Sequence, residues 1–126
     1  DGNGQADPAV FHNGAWSIFL MGENQVLQGP FGDPDAIPLA ADFDGNGQAD
    51  PAVFHNGAWS IFLMGENQVL QGPFGHPDAT PRSGDYNGDG QADLAVFHYG
   101  AWSIFLMGEN QVLQGPFGHP DGVPVK

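Results

Sequence analysis

The sequence predicts an all-β fold, a β-propeller of four-stranded blades, and three observations carry that expectation. A unit recurs three times at a spacing of 43 residues, with Trp16, Trp59 and Trp102 marking the register. Within a unit, Asn56-Gly57 separates two runs of β-forming residues, which is a hairpin signal. No window carries apolar residues at helical spacing over the ten or more residues that a helix needs. Units of this length with room for four short strands are the repeats of propellers, and a straight stack of sheets is the competing arrangement.

The middle unit gives the elements in order. Ile37-Pro38-Leu39-Ala40-Ala41 is a short first strand that leads into Asp42, and Pro51-Ala52-Val53-Phe54-His55 is the second. The third strand runs from Ala58 to Met64, and the turn Gly65-Glu66-Asn67 leads to a fourth, Gln68 to Gln71, which Gly72-Pro73 is expected to stop. Apart from Ser60, the third strand is apolar on both alternating faces, as a strand covered front and back would be. The expected division is 1–35 as a first blade with strands two to four, 36–78 and 79–121 as complete blades, and 122–126 as a first strand.

Propellers close with about four to eight blades, so three units are expected to close only with further copies of the chain. Six blades from a homodimer are preferred, and nine from a homotrimer are possible. The segment Gly122-Val123-Pro124-Val125-Lys126 would then complete the first blade of a neighbouring chain.

Composition narrows the partners. With 15 acidic and 2 basic side chains the formal charge is −13, so no basic face exists for nucleic acid. The absence of cysteine excludes disulfides and zinc-thiolate sites. Apolar runs fall far short of the ~20 residues of a membrane helix, so no membrane insertion is expected. Residues Asp1 to Gly32 recur unchanged as Asp44 to Gly75, and the third copy differs only at Asn87, Asp89, Leu94 and Tyr99. Such identity points to very recent duplication or to an engineered or consensus repeat.

The most specific pattern lies between the first and second strands. It reads Asp42-Phe43-Asp44-Gly45-Asn46-Gly47-Gln48-Ala49-Asp50, and again Asp85-Tyr86-Asn87-Gly88-Asp89-Gly90-Gln91-Ala92-Asp93. Oxygen-bearing side chains stand at loop positions one, three, five and nine, with glycine at six and a main-chain carbonyl for position seven. That spacing suits calcium, which takes six to eight oxygens, better than magnesium. An EF-hand would need a glutamate at position twelve, where Val53 or Val96 stands. The exchange of Asp44 and Asn46 for Asn87 and Asp89 keeps the oxygen count. The first loop, with Asp1, Asn3, Gln5 and Asp7, lacks the carboxylate of position one and is expected to be weaker or empty.

These loops, followed by Ala-Asp-Pro/Leu-Ala-Val-Phe, resemble the FG-GAP/VCBS repeat family over essentially the whole chain, in all three units. The resemblance implies propeller blades with a structural calcium held by Asp42, Asp44, Asn46, Gln48 and Asp50 and by Asp85, Asn87, Asp89, Gln91 and Asp93. Members include integrin α-subunit heads, which bind proteins, and calcium-loop fungal lectins, which bind sugars between blades. It also implies a secreted or extracellular setting, in keeping with millimolar calcium outside cells.

A second set of candidates is His12, His55 and His98, next to Asn13, Asn56 and Tyr99 and close in sequence to Trp16, Trp59 and Trp102. Aromatic faces with amide and imidazole partners suit a sugar, although tryptophan packed between blades is the plainer role. His76 and His119 share a turn position with Asp33, which argues against a required ligand role there. No nucleophile and base stand together, and identical units offer identical groups where catalysis needs unlike ones. The expected function is therefore a non-enzymatic, multivalent binding module, a carbohydrate-binding lectin being the preferred reading. A metal-only scaffold and a protein-binding adhesion module are the alternatives.

Overall fold

The computed structural model describes residues 2–3 and 6–125. Eleven strands form three antiparallel sheets of three, four and four strands, and no helix is present among the described residues. The first sheet holds β1 (Ala9–His12), β2 (Ala15–Leu20) and β3 (Gln25–Pro30). The second holds β4 (Ile37–Ala41), β5 (Asp50–His55), β6 (Ala58–Leu63) and β7 (Gln68–Pro73). The third holds β8 (Thr80–Gly84), β9 (Asp93–His98), β10 (Ala101–Leu106) and β11 (Gln111–Pro116). In every sheet the strands pair in chain order, so each is a meander and none closes on itself.

The tight turn between β5 and β6 needs left-handed backbone at both central positions, and Asn56 and Gly57 supply it at φ 50° and 82°. In the third sheet the first of these positions is Tyr99, at φ 50°, where a tyrosine is strained. The second and third strands of the middle sheet shift by one residue from the sequence reading, β5 starting at Asp50 and β6 ending at Leu63, and the larger difference is in the fourth. The fourth strand continues through Gly72 to Pro73, which pairs with Ala58. Because β7 is the outermost strand, a proline that lacks an N–H is tolerated on it.

The middle sheet is covered on both faces. On one side Phe54, Trp59, Ile61 and Leu63 form a buried cluster with Leu94 and Val96 of β9. On the other Val53 packs with Trp16 and Ala36, and Phe62 meets Phe31 edge-on at 5.8 Å. The same edge-on contact recurs between Phe74 and Phe105, also at 5.8 Å. Close approach at this seam requires glycine: at Gly75, whose φ is 105°, a Cβ would stand 2.9 Å from Cγ1 of Val96. The loops add a tie, in which the Ala92 N–H donates to the Asp42 carbonyl at 2.8 Å and Gln91 Nε2 to the Phe43 carbonyl at 2.7 Å.

Candidate metal centre and ligand clefts

Each acidic loop is wound around the carboxylate that opens it. Asp42 accepts the N–H groups of Gly45, Asn46 and Gly47, and Asp85 accepts those of Gly88, Asp89 and Gly90. The Gly90 N–H contributes most to holding the Asp85 carboxyl below the usual carboxylate range. At the far end of each loop, Asp50 and Asp93 are fully buried at the start of β5 and β9. Asp50 accepts from Phe43 at 3.0 Å and from Met64 at 2.9 Å, so a single carboxylate pins the loop to the end of β6. Asp93 does the same with Tyr86 and Met107. Burial pushes the Asp50 carboxyl up; the Met64 and Phe43 N–H groups oppose that, and the neighbouring Asp44 and Asp42 charges add to it.

Among the described residues, oxygens of Asp42, Asp44 and Asp50 all lie within 4.8 Å of one another. Three carboxylates so close repel unless a cation or protons sit among them, and hard oxygens in this number suit a divalent ion. The seat is built from a second element as well. The turn glycines Gly65 and Gly108 lie against the loops: a Cβ on Gly108 would stand 2.7 Å from Asp89 Oδ2, and one on Gly65 would collide with the Asn46 amide. The donor chemistry of the second loop therefore fits a hard divalent cation.

The third loop is arranged differently. Asn87 donates its amide to Glu109 at 2.8 Å, so its Nδ2 is turned toward the β10–β11 turn. Its Gln91 Nε2 is engaged with the Phe43 carbonyl, which leaves oxygen atoms as what this position could offer a metal. Gln48 is half-buried, and Asn46 Oδ1 accepts the Gln48 N–H at 2.9 Å. In the first loop Asp1 and Gln5 lie outside the described residues. Asp7 there accepts the Met21 N–H at 2.9 Å, as Asp50 does that of Met64, and Asn3 is exposed. The engagement of Glu109 and the closeness of Gly65 and Gly108 to the loops escaped the sequence reading, in which Gly65-Glu66-Asn67 stands only as a turn. The recurrence of glycine and glutamate at the same turn positions in every unit was the available signal.

The tryptophans and histidines do not meet on one sheet face. Trp59 pairs with Phe54 across β5 and β6, so both side chains point the same way, while the adjacent His55 points to the opposite face. His55 approaches Asp33 of the preceding unit at 3.8 Å, and His98 stacks on His76 with ring centroids 4.1 Å apart. His12 is exposed, as are Asn13, Asn56 and Tyr99.

Trp16 and Trp59 instead form the inner walls of clefts between adjacent sheets, with volumes of about 340 Å³ and 250 Å³. Both indole Nε1 atoms are buried without a hydrogen-bond partner. Opposite each tryptophan on the outer strand stands a glycine, Gly29 or Gly72, and Gly115 stands opposite Trp102 in the third sheet. None of the three has a positive φ, and a Cβ on any of them would meet nothing within 4 Å. Neither backbone geometry nor crowding accounts for glycine here, and glycine inside a strand weakens it. Their effect is to keep the cleft mouth open.

No family model matches the chain, and no curated protein and no solved structure shows significant similarity to it.

Proposed function

We propose that the chain is a calcium-stabilised β-propeller module of the FG-GAP/VCBS kind that binds carbohydrate, without catalysis, in the clefts between its sheets. The observation that carries the reading is the repeated pairing of a cleft-lining tryptophan with an outer-strand glycine that leaves open space beside it. An apolar wall, with Leu27 or Leu70 beside the tryptophan and Asn67 or Gln71 at the margin, suits a pyranose ring, which has C–H faces and hydroxyls. Similar clefts repeated from unit to unit suit multivalent recognition, in which modest single-site affinity multiplies. The ion would be held by Asp42, Asp44, Asn46 and Asp50, with Asp85, Asp89 and Asp93 forming the second site. Its contribution would be to neutralise the loop carboxylates and fix the loops that tie one sheet to the next. A calcium-dependent, secreted or extracellular setting follows from that reading.

A glycan array read with excess calcium tests it. Binding to a defined group of saccharides, lost on Gly72→Phe and Gly29→Phe, which fill the two cleft mouths, is the expected result. An array with no signal at any concentration overturns the carbohydrate assignment and favours a scaffold or a protein-binding module.

A further inference from the structure

The two internal junctions repeat the same three contacts. Between the first and second sheets, Phe31 meets Phe62, Gly32 approaches Val53, and Asp33 faces His55. Between the second and third, Phe74 meets Phe105, Gly75 approaches Val96, and His76 stacks on His98. The next set in register is half present at each end of the molecule. Phe117, Gly118 and His119 follow β11, and Phe117 is 78% exposed. The residues that should meet them, at the positions of Phe62, Val53 and His55, are Phe19, Val10 and His12 on the far face of the first sheet. Val10 is 65% exposed, whereas Val53 and Val96 are each 3% exposed. Each open face thus carries the half of a junction that the other lacks.

The strand edges show the same complementarity. Among the described residues the first sheet has three strands, and β1 has no partner of the kind that β4 gives β5 and β8 gives β9. Val123, Pro124 and Val125 correspond in the repeat to Ile37, Pro38 and Leu39 and belong to no strand. Pro124 already lies beside β8, where its carbonyl accepts from Arg82 Nε at 3.2 Å. Val123 and Val125 are 79% and 81% exposed. By the register of Ile37 with Phe54, Pro38 with Val53 and Leu39 with Ala52, the segment would pair Val123 with Phe11, Pro124 with Val10 and Val125 with Ala9.

We infer that copies of this chain join head to tail into a closed ring: the Phe117–Val125 face of one copy takes the β1 edge and the Val10 and Phe19 face of the next. The surfaces differ from each other, so the contact is heterologous and every copy uses both. Chain-to-chain strand addition supplies main-chain hydrogen bonds, and the Val10 and Phe19 contacts set the register. This deepens the propeller reading by naming what completes the ring, and it requires neither the ion nor the sugar.

Native mass measurement tests it. The wild-type chain should run at two or three times 13.3 kDa, independent of concentration over a wide range. Val10→Asp and Phe117→Asp alter exposed side chains at opposite ends, and each alone should run at 13.3 kDa. Mixed together they should form a one-to-one pair, because each keeps the face that the other has lost. A wild-type monomer, or wild-type growth without a fixed stoichiometry, overturns the closed ring whatever the variants do. Unchanged mass in both variants, or folded variants that do not pair on mixing, overturns the head-to-tail contact. Glycan binding measured on the same samples reports separately, so loss of the ring with binding retained leaves the carbohydrate reading standing.

Discussion

Residues Asp1 to Gly32 and Asp44 to Gly75 have one sequence and two fates. In the second sheet Ala52, Val53, Phe54 and Ile61 are buried; in the first Ala9 and Val10 are exposed, and Phe11 and Ile18 are half-buried. The register of β1 on β2 matches that of β5 on β6 residue for residue, so local pairing is the same in both. What differs is the neighbour. The second sheet has β4 at its inner edge and a sheet on each face, and among the described residues the first has a neighbour on one face only. Strand formation here is thus a property of the unit, while burial is a property of its place in the row, as in repeat arrays where interfaces between units supply much of the stability.

Paired substitutions at equivalent positions sharpen this comparison, measured by urea unfolding in a Phe117→Asp background that keeps chains apart. The largest contrast should be at valine. Val53→Asp buries an unpaired charge between Trp16 and Phe31 and should cost about 3 to 5 kcal/mol, whereas Val10→Asp should change stability by no more than about 0.5 kcal/mol. Equal losses at the two sites would mean that the first sheet is as well covered as the second. Next comes Phe54→Ala, which removes a buried ring packed on Trp59 and should cost about 3 to 5 kcal/mol. Phe11→Ala, at a half-buried site, should lose less than half of that.

A smaller contrast lies at the loop aspartates. Asn in place of Asp50 keeps one acceptor where the Phe43 and Met64 N–H groups require two, so Asp50→Asn should cost about 1 to 3 kcal/mol. Asp7→Asn should cost less, since Asp7 is only half-buried where Asp50 is fully buried. Excess calcium should raise the wild-type Tm, and Asp50→Asn should lose most of that rise, because an ion held only by the folded state stabilises it by mass action. A Tm unmoved by calcium or by chelator removes the metal from the account. The smallest effect is a gain: Tyr99→Asn restores the residue that Asn13 and Asn56 provide at a left-handed turn position and should stabilise by about 0.5 to 1 kcal/mol.

The all-β fold, the three-fold recurrence and most strand bounds were legible because Asn-Gly turns and short β-forming runs are local signals. Pro73 misled, because whether proline ends a strand depends on whether that strand has a further neighbour. The sequence marked the acidic loops and the oxygens they offer, but not that Asp50 and Asp93 clasp the loop to the end of the third strand, nor that Glu109 reaches Asn87. Those contacts join residues 14 and 22 positions apart through chain folding. Which copy of an identical segment is buried is written nowhere in the segment. The separation of His55 from Trp59 was readable in principle from the alternation of side chains about a hairpin.

Pro30, Pro73 and Pro116 each end the outermost strand of a sheet. A proline at a rim withholds an amide donor just where a stray β-segment would seek one, and lateral fibril growth from that edge is correspondingly discouraged. A molecule with near-identical sheets runs a particular risk of indiscriminate sticking, and this placement guards one edge of each sheet against it.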